Sequence, residues 1–224
     1  NKGWGWKDVL PYFIKSENQE RGKNDYHGDD GPLSVSDPRI KLDLLERFMD
    51  AAEEKGIPKI DDFNKGDNFG CGYFQVTEKN GLRCSAAVGY LNPIKKRKNL
   101  KIETNCHVEK INFDGTRAVS VSFWKGNETN IVSANKEILL SAGSIGSTQI
   151  LQTSGVGNVD KLSNLGIKMI KDLKGVGQNL QDHLMFRPVY KIKNIKSPNK
   201  KINSLIGNLM IGLEFIFNRS GPMT

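Results

Sequence analysis

The stretch of residues 138–155 constrains the fold of this chain more than any other part of its sequence. An apolar run, Ile138 to Leu140, leads directly into the small residues Ser141-Ala142-Gly143-Ser144. Small residues allow the backbone to turn tightly and to approach a ligand without interference from Cβ atoms. Ile150 and Leu151 then supply the apolar contacts of a following helix. The stretch therefore predicts a strand, a tight turn and a helix in succession.

The predicted helix carries signals at both of its ends. Ser144 or Ser147 can act as N-cap by accepting a hydrogen bond from a free backbone N–H, and Gly155 suits the C′ position. The free N–H groups and the dipole at such an N-terminus favour an anion, for example a pyrophosphate. Strand-turn-helix units with two or three glycines are common in α/β proteins, so ordinary packing is the alternative interpretation.

Two consecutive phrases of the sequence carry a family resemblance. The run GSIGSTQILQTSGVG, residues 143–157, resembles the second sequence signature of the glucose-methanol-choline (GMC) oxidoreductases. The run GVGQNLQDH, residues 175–183, is similar to the phrase that follows this signature in the family. Thr148 stands where the family usually has Pro or Ser. This departure can alter the first helical turn but should not abolish it.

Three upstream phrases extend the resemblance over nearly the whole chain. They are GWGWKDVLPYFIKSEN at residues 3–18, YHGDDGPLSV at residues 26–35 and GLRCSAAVGYLNP at residues 81–93. All three are similar to stretches of GMC proteins and occur in the family's order. Several phrases in register are much more specific than one glycine pattern, so the chain is identified as a member of this family, with its substrate open.

The resemblance implies an α/β fold with α+β elements. The expected architecture is an incomplete FAD-binding domain of the glutathione-reductase type, with a β-meander, followed by the start of a substrate domain. Residues 1–185 would form the latter part of the FAD-binding region and residues 186–224 the beginning of the substrate-binding region.

Two hallmarks of the family are absent from the sequence. No G-x-G-x-x-G motif occurs, and the three histidines, His27, His107 and His183, lie in segments that precede the family's catalytic region. The chain is therefore expected to be an internal fragment that contains no catalytic residue. The family's catalytic base would lie downstream, so the isolated chain is expected to be inactive.

Residues 101–133 show the period of strands rather than of helices. Three β-rich runs, residues 101–113, 117–124 and 128–133, are separated by Asp114-Gly115 and Lys125-Gly126-Asn127. Both separators are good hairpin turns, so the runs predict a β-meander that continues into the Ile138 strand.

The spacing of apolar residues in the rest of the sequence predicts further helices and strands. Trp4 and Trp6, before the first helix, are interpreted as core anchors. The predicted helices lie at residues 7–17, from residue 42 to a stop at Gly56-Ile57-Pro58, and at residues 85–91 and 202–217. The predicted strands lie at residues 33–35 and 188–195.

The resemblance also implies individual cofactor contacts. Family members hold the adenine portion of FAD through the backbone of a strand residue that corresponds to Val108. Packing of this β-branched side chain into the sheet is the other interpretation, and both can hold. Ala142 and Gly143 correspond to the turn closest to the flavin, and Ser144, next to them, is expected to share the cofactor site.

The polar run after Gly177 is harder to interpret. Asn179, Gln181, Asp182 and His183 can cap a helix, hold the domain junction through hydrogen bonds, or line the flavin cavity, and they are candidate cofactor-binding residues. The family places His27 near a segment that covers the flavin, but a surface position in a turn is an equally good interpretation.

The implied activity is oxidation of the CH–OH group of an alcohol, choline-like or another primary alcohol, by hydride transfer to FAD. A flavin-containing hydroxynitrile lyase on the same fold is the alternative. Substrate-induced bleaching of the flavin absorption separates the two activities, because a lyase does not reduce the flavin. The electron acceptor stays open.

Charge and cysteine content constrain function less. The 33 Lys and Arg against 25 Asp and Glu give a net charge of +8, which allows nucleic acid as a partner. The tight basic cluster at residues 95–98 has no interleaved aromatic residues, so a solvated loop is favoured and no nucleic acid is expected.

Cys71, Cys84 and Cys106 show no metal-ligand spacing and are odd in number, which indicates reduced thiols and no metal site. No apolar run has the length of a transmembrane helix. A cytoplasmic or peripherally membrane-associated location is the expectation.

Overall fold

The computed structural model describes residues 2–193 and 199–222 and separates into two compact units. The first unit comprises Asn1–Leu100 and Val189–Thr224, and the second unit comprises Lys101–Pro188. The partition predicted from the sequence, residues 1–185 and 186–224, follows a family boundary rather than compactness and stays a prediction. In the described residues, no helix combines the length and hydropathy that a bilayer crossing requires.

Helix α1, Trp6–Ser16, opens the first unit close to the predicted bounds. Asp8 Oδ2 accepts the backbone N–H of Gly5 at 3.1 Å and so satisfies a donor at the start of the helix. The interpretation of the two tryptophans as core anchors is wrong, because Trp4 is 77% exposed and Trp6 is 57% exposed. Trp4 lies two residues before the helix, and Trp6 borders an open cavity rather than a filled core.

A short parallel pair follows α1. Strand β1, Glu17–Gln19, pairs with β2, Leu33–Val35, and only β2 was predicted. The sequence of β1 is Glu-Asn-Gln, which carries neither alternation nor β-branched residues, so its pattern is that of a loop. Helix α2, Asp43–Glu53, begins one residue after the predicted start and ends shortly before the predicted stop at Gly56.

The first unit continues with a hairpin and a short helical turn. Strands β3, Glu78–Lys79, and β4, Leu82–Arg83, are joined by Asn80 and Gly81, which both have positive φ (54° and 74°). Two such residues in succession match the turns that connect tight hairpins. The predicted helix at residues 85–91 is a π-helical turn, Ala87–Leu91.

Two helices complete the first unit. They are α5, Asn199–Ile202, and α6, Leu205–Asn218, where Ser204 Oγ accepts the N–H of Gly207 at 2.9 Å. The predicted helix of residues 202–217 is thus divided at Ser204 into α5 and α6. The strand predicted at residues 188–195 does not form over residues 188–193, and residues 194 and 195 lie outside the described residues.

The second unit contains the predicted meander. Its antiparallel strands are β5, Cys106–Asp114, β6, Arg117–Lys125, and β7, Glu128–Ser133. Gly115 and Gly126, with φ of 58° and 62°, provide the left-handed residue of each connection. The turn glycines and the alternation of the strands explain why this part of the fold was predicted from sequence.

Helix α3, Gly143–Thr153, packs against β5, but the strand predicted at Ile138–Leu140 does not form. An isolated extended segment has no ladder hydrogen bonds, and no described strand pairs with this one. Leu139 is accordingly 80% exposed. The buried apolar residues of the unit are Ile111 of the meander, Ile150 of α3, and Val156 and Leu162 of the segment that follows α3.

A small parallel pair closes the second unit. Strand β8, Val156–Gly157, pairs with β9, Lys171–Asp172, and helix α4, Val159–Asn164, connects them. Gly155 has φ of 86°, as predicted for a C′ residue, and a Cβ there would lie 2.3 Å from the carbonyl oxygen of Lys168. Only glycine fits this position.

Candidate functional site

The turn before α3 differs in detail from the predicted cap. The N-cap residue is Ala142, with φ of −90° and ψ of 16°, and no side chain caps the helix. Ser144 lies inside the first turn and is not the cap. The hydroxyl of Ser147 does accept a backbone N–H, that of Ala142, at 3.0 Å. Ser147 therefore accepts the N–H of Ala142 from within the helix. The N–H groups of the first helical turn have no side chain that caps them.

The space beside this turn is open. Gly143 has φ of 77°, and a Cβ at this residue would have no atom within 4 Å. The bend is thus not filled by bulky side chains, and its backbone is accessible to a ligand. An uncapped helix N-terminus next to an accessible glycine is an arrangement that binds anions.

A cavity of about 630 Å³ lies between one face of α3 and the loop of residues 175–181. Three of the predicted cofactor residues, Ser144, Asn179 and Gln181, line this cavity together. Asn179 has φ of 54°, a left-handed conformation that Asn tolerates better than most residues. The volume is within the range of small-molecule and cofactor sites, roughly 300–1,000 Å³.

Polar residues of α3 that were not predicted also line the cavity. Thr148 and Gln152 follow Ser144 at intervals of four residues, so all three lie on one helix face. This spacing is the sequence signal that could have identified them. The hydroxyl of Thr148 donates to the carbonyl oxygen of Ser144 at 2.8 Å, and the helix is continuous. The departure from the family pattern at Thr148 therefore leaves the first turn intact, as expected.

The loop approaches α3 most closely at Gly177. This residue has φ of 77°, and a Cβ there would lie 2.8 Å from Nε2 of Gln152. Glycine therefore allows the loop to contact the helix side chain, and this contact forms one wall of the cavity.

Asp182 and His183 do not line the cavity with the other predicted residues. They follow the loop, both are exposed, and Asp182 Oδ1 accepts the backbone N–H of His183 at 2.8 Å. The structure thus brings Ser144, Asn179 and Gln181 together around the cavity. Asp182 and His183 follow Gln181 in sequence but do not line the cavity.

Val108 lies near the opposite end of α3. It is in β5, opposite Phe123, where the register shifts before Lys110. The hydroxyl of Thr153, at the C-terminal end of α3, donates to the carbonyl oxygen of Glu109 at 2.8 Å. At 1.5 Å per residue, α3 separates this contact from Gly143 by about 15 Å. Val108 is therefore distant from the turn at Gly143 along the helix, although the cavity itself extends along α3 as far as Gln152.

His27 is not a surface residue, so the interpretation of a surface turn is wrong. It is 3% exposed, in the first unit, with Nδ1 at 2.8 Å from Glu17 Oε2 and Nε2 at 2.9 Å from Asp62 Oδ2. Asp62 is 35 residues away in sequence, so no local pattern predicts this contact. Elsewhere, the described residues contain no group of His, Cys, Asp and Glu arranged to hold a metal ion, and the three cysteines are unpaired.

A β-meander, a glycine turn that opens a helix, and a cavity along that helix are features typical of a domain of an α/β oxidoreductase. Residues 1–185 match the family model of the GMC oxidoreductases. The chain belongs to the GMC oxidoreductase family.

Relatives with assigned names support this membership. The chain is 43% identical to the oxygen-dependent choline dehydrogenase of Pectobacterium atrosepticum over 221 residues, which is 97% of this chain and 39% of that protein. It is 39% identical to human mitochondrial choline dehydrogenase, over 98% of this chain and 37% of that protein. The chain thus spans about two fifths of the length of these relatives.

Solved structures show the same fold. An FAD-dependent oxidoreductase from Chaetomium thermophilum superposes with a TM-score of 0.87 at 30% identity, over all of this chain and 41% of that one. Pyridoxine 4-oxidase from Mesorbium loti superposes with a TM-score of 0.76 at 31% identity, over 82% of this chain and 36% of that one. The expected fold, part of an FAD-dependent GMC oxidoreductase, is confirmed.

Proposed function

We propose that this chain forms part of the FAD site of an oxidoreductase that oxidises the CH–OH group of an alcohol. The observation that carries the proposal is the cavity of about 630 Å³ between α3 and residues 175–181, which runs along the helix from Ser144, next to the uncapped N-terminus, to Gln152. Family membership supplies the cofactor, and the geometry indicates where this chain would contact it.

The residues present fit an anionic cofactor. The free N–H groups and the dipole of α3 stabilise negative charge, whether of a pyrophosphate or of a reduced isoalloxazine. Gly143 would allow either group to approach the backbone, because no Cβ projects into the open space beside it. Ser144, Asn179 and Gln181 add hydrogen-bonding side chains around the cavity that begins at Ser144, the residue after Gly143.

The other predicted contacts need separate support. The backbone of Val108 would hold the adenine portion at the far end of α3, and Ala142 would contact the flavin through its main chain. Asp182 and His183 are proposed to face the cofactor from beyond the cavity. Substitution of Asp182 and of His183, scored by FAD affinity, tests these two side-chain assignments individually.

The chemistry would come from the cofactor. FAD, when bound, accepts a hydride from the carbinol carbon of the alcohol. The residues of this chain would bind and orient FAD, and none of them is proposed as the base that takes the hydroxyl proton. The names of the relatives, choline dehydrogenases, favour a choline-like alcohol as substrate.

Anaerobic addition of choline to the FAD-loaded whole protein tests this function. Loss of the visible flavin absorption is expected, because hydride transfer reduces the flavin. A loaded protein whose absorption stays unchanged with choline and with other primary alcohols would contradict the proposal and would agree with a lyase. None of the relatives named above is a lyase.

A further inference from the structure

The loop of residues 175–181 rests on α3 at the side chain of Gln152. A Cβ at Gly177 would lie 2.8 Å from Nε2 of Gln152 and 3.2 Å from Cγ2 of Thr148. Both distances are shorter than an ordinary van der Waals contact of a Cβ atom, so the backbone of Gly177 lies directly on these two side chains. Thr148 and Gln152 are four residues apart, and together they form a seat for Gly177 on one face of the helix.

The side chain of Gln152 is also packed at its stem. A Cβ at Gly157, in β8, would lie 3.4 Å from Cγ of Gln152. Gln152 therefore meets one glycine at its stem and another at its amide, and this packing restricts the rotamers that it can adopt. Because the side chain is confined, it provides a fixed stop for the loop.

The hydrogen bonds of the loop are local and do not reach α3. The N–H of Val176 donates to the carbonyl oxygen of Leu173 at 3.1 Å, and the N–H of Gln178 donates to that of Gly175 at 3.1 Å. Among the described residues, no hydrogen bond joins residues 175–181 to the helix. The distance between the loop and α3, which is the width of the cavity, therefore depends on side-chain packing.

We propose that Gln152 is a positioning residue of the cofactor site. By stopping Gly177, its side chain sets the width of the cavity and places the loop that carries Asn179 and Gln181. Loop position matters because a hydrogen bond from these side chains weakens once donor and acceptor are more than about 3.2 Å apart. The inference rests on the proposed function, since FAD is the ligand whose fit the width decides.

A compensating pair of substitutions tests the contact in the whole protein. Gln152→Ala removes the stop, and Gly177→Ala adds a Cβ that meets it, so each should weaken FAD binding about tenfold. In the double variant the added Cβ enters the space that the shortened side chain leaves, so its FAD affinity should exceed that of Gly177→Ala. A double variant that binds FAD no more tightly than Gly177→Ala, or Gln152→Ala with wild-type affinity, would overturn the proposal.

Two further variants separate this contact from backbone strain and from the chemistry of the amide. Gly166→Ala places a Cβ at φ of 69° with no atom within 4 Å, so it should lose stability but keep wild-type FAD affinity. Gln152→Met keeps an unbranched side chain of similar length, so its FAD affinity should stay within about twofold of wild type. Binding by Gln152→Met as weak as that by Gln152→Ala would assign the effect to the amide and would overturn the positioning role.

Hydrogen exchange in the FAD-free protein distinguishes failure of this inference from failure of the proposed function. Gln152→Ala should speed amide exchange at Val176 and Gln178 several-fold, because the loop loses its support, whereas Gln152→Met should not. Unchanged exchange in Gln152→Ala would overturn the positioning role even in a protein that binds FAD. A wild type that binds no FAD would contradict the proposed function, and the exchange result would then decide the role of Gln152 alone, as it also does should Gly177→Ala fail to fold.

Discussion

The hydroxyl of Ser147 accepts the backbone N–H of Ala142 at 3.0 Å, so a residue within α3 holds the turn that precedes the helix. Ser147→Ala removes this acceptor and should lower the free energy of unfolding by about 1 kcal/mol, the usual net value of one hydrogen bond. Urea denaturation measures the change. An unchanged unfolding midpoint would show that the contact does not stabilise the turn.

Ser144 differs from Ser147 because its side chain is expected to act in cofactor binding rather than in stability. Its side chain is exposed and lines the cavity, so Ser144→Ala should reduce FAD affinity several-fold while leaving the unfolding midpoint unchanged. Quenching of flavin fluorescence on binding measures the affinity. A stability loss without an effect on FAD binding would assign Ser144 a structural role instead.

Gly143 combines a left-handed backbone with open space, and Gly126 in the β6–β7 turn does the same at φ of 62°. Alanine at either position should cost about 1–2 kcal/mol of stability, because a Cβ strains this conformation. Only Gly143→Ala should also reduce FAD affinity, by about tenfold or more. Equal FAD affinity of the two variants would remove the turn from the cofactor site.

Ser154 joins α3 to the meander from a buried position. Its Oγ accepts the N–H of Ile111 at 2.8 Å and donates to the carbonyl oxygen of Ile150. Ser154→Ala leaves the Ile111 N–H without a partner, which should cost about 1–3 kcal/mol. Equilibrium unfolding tests this, with the exposed Ser163→Ala as control.

Glu103 should titrate far below other glutamates. Lys125 Nζ lies 2.6 Å from one carboxylate oxygen and Lys101 Nζ lies 3.0 Å from the other, which lowers the pKa of Glu103 from 4.5 to about 2. The depressed pKa means that the contribution of Glu103 to stability is complete above pH 4.5 and is lost as the pH falls toward 2. Carboxyl-carbon NMR measures the titration.

Removal of Lys125 tests whether the ion pair lowers the pKa of Glu103. In Lys125→Met the pKa of Glu103 should rise toward its ordinary value, since the larger influence is gone and Lys101 alone stays. Lys174→Met, which removes a lysine not paired with Glu103, should leave the titration unchanged. A pKa that does not move in Lys125→Met would contradict the ion pair.

Local sequence patterns predicted the elements that are held together by contacts between residues close in sequence. Strands β6 and β7 agree with the predicted runs within one residue, because Gly115 and Gly126 mark the turns and the strands alternate, whereas β5 begins at Cys106 rather than at residue 101. The predicted strand at Ile138–Leu140 failed for the opposite reason: a strand depends on a partner, and no described strand pairs with it.

The candidate site was predicted only in part. Family phrases located Ser144, Asn179 and Gln181, which share one cavity, whereas Gln152 was missed although its spacing from Ser144 places both on one helix face. The burial of His27 depends on Asp62, and a contact across 35 residues is created by tertiary structure alone.

Thr153 and Ser154 attach the C-terminal end of α3 to β5 through hydrogen bonds, and the turn at Gly143 lies at the opposite end of the helix. A small rotation of α3 about its attached end therefore moves this turn. Over roughly 15 Å, a tilt of about 5° at the attached end would displace the free end by more than roughly 1 Å. A misplacement of that size near reacting groups can slow an enzyme by about 100-fold. Residues of the meander that never touch a ligand would thereby govern the alignment of whatever lies against Gly143.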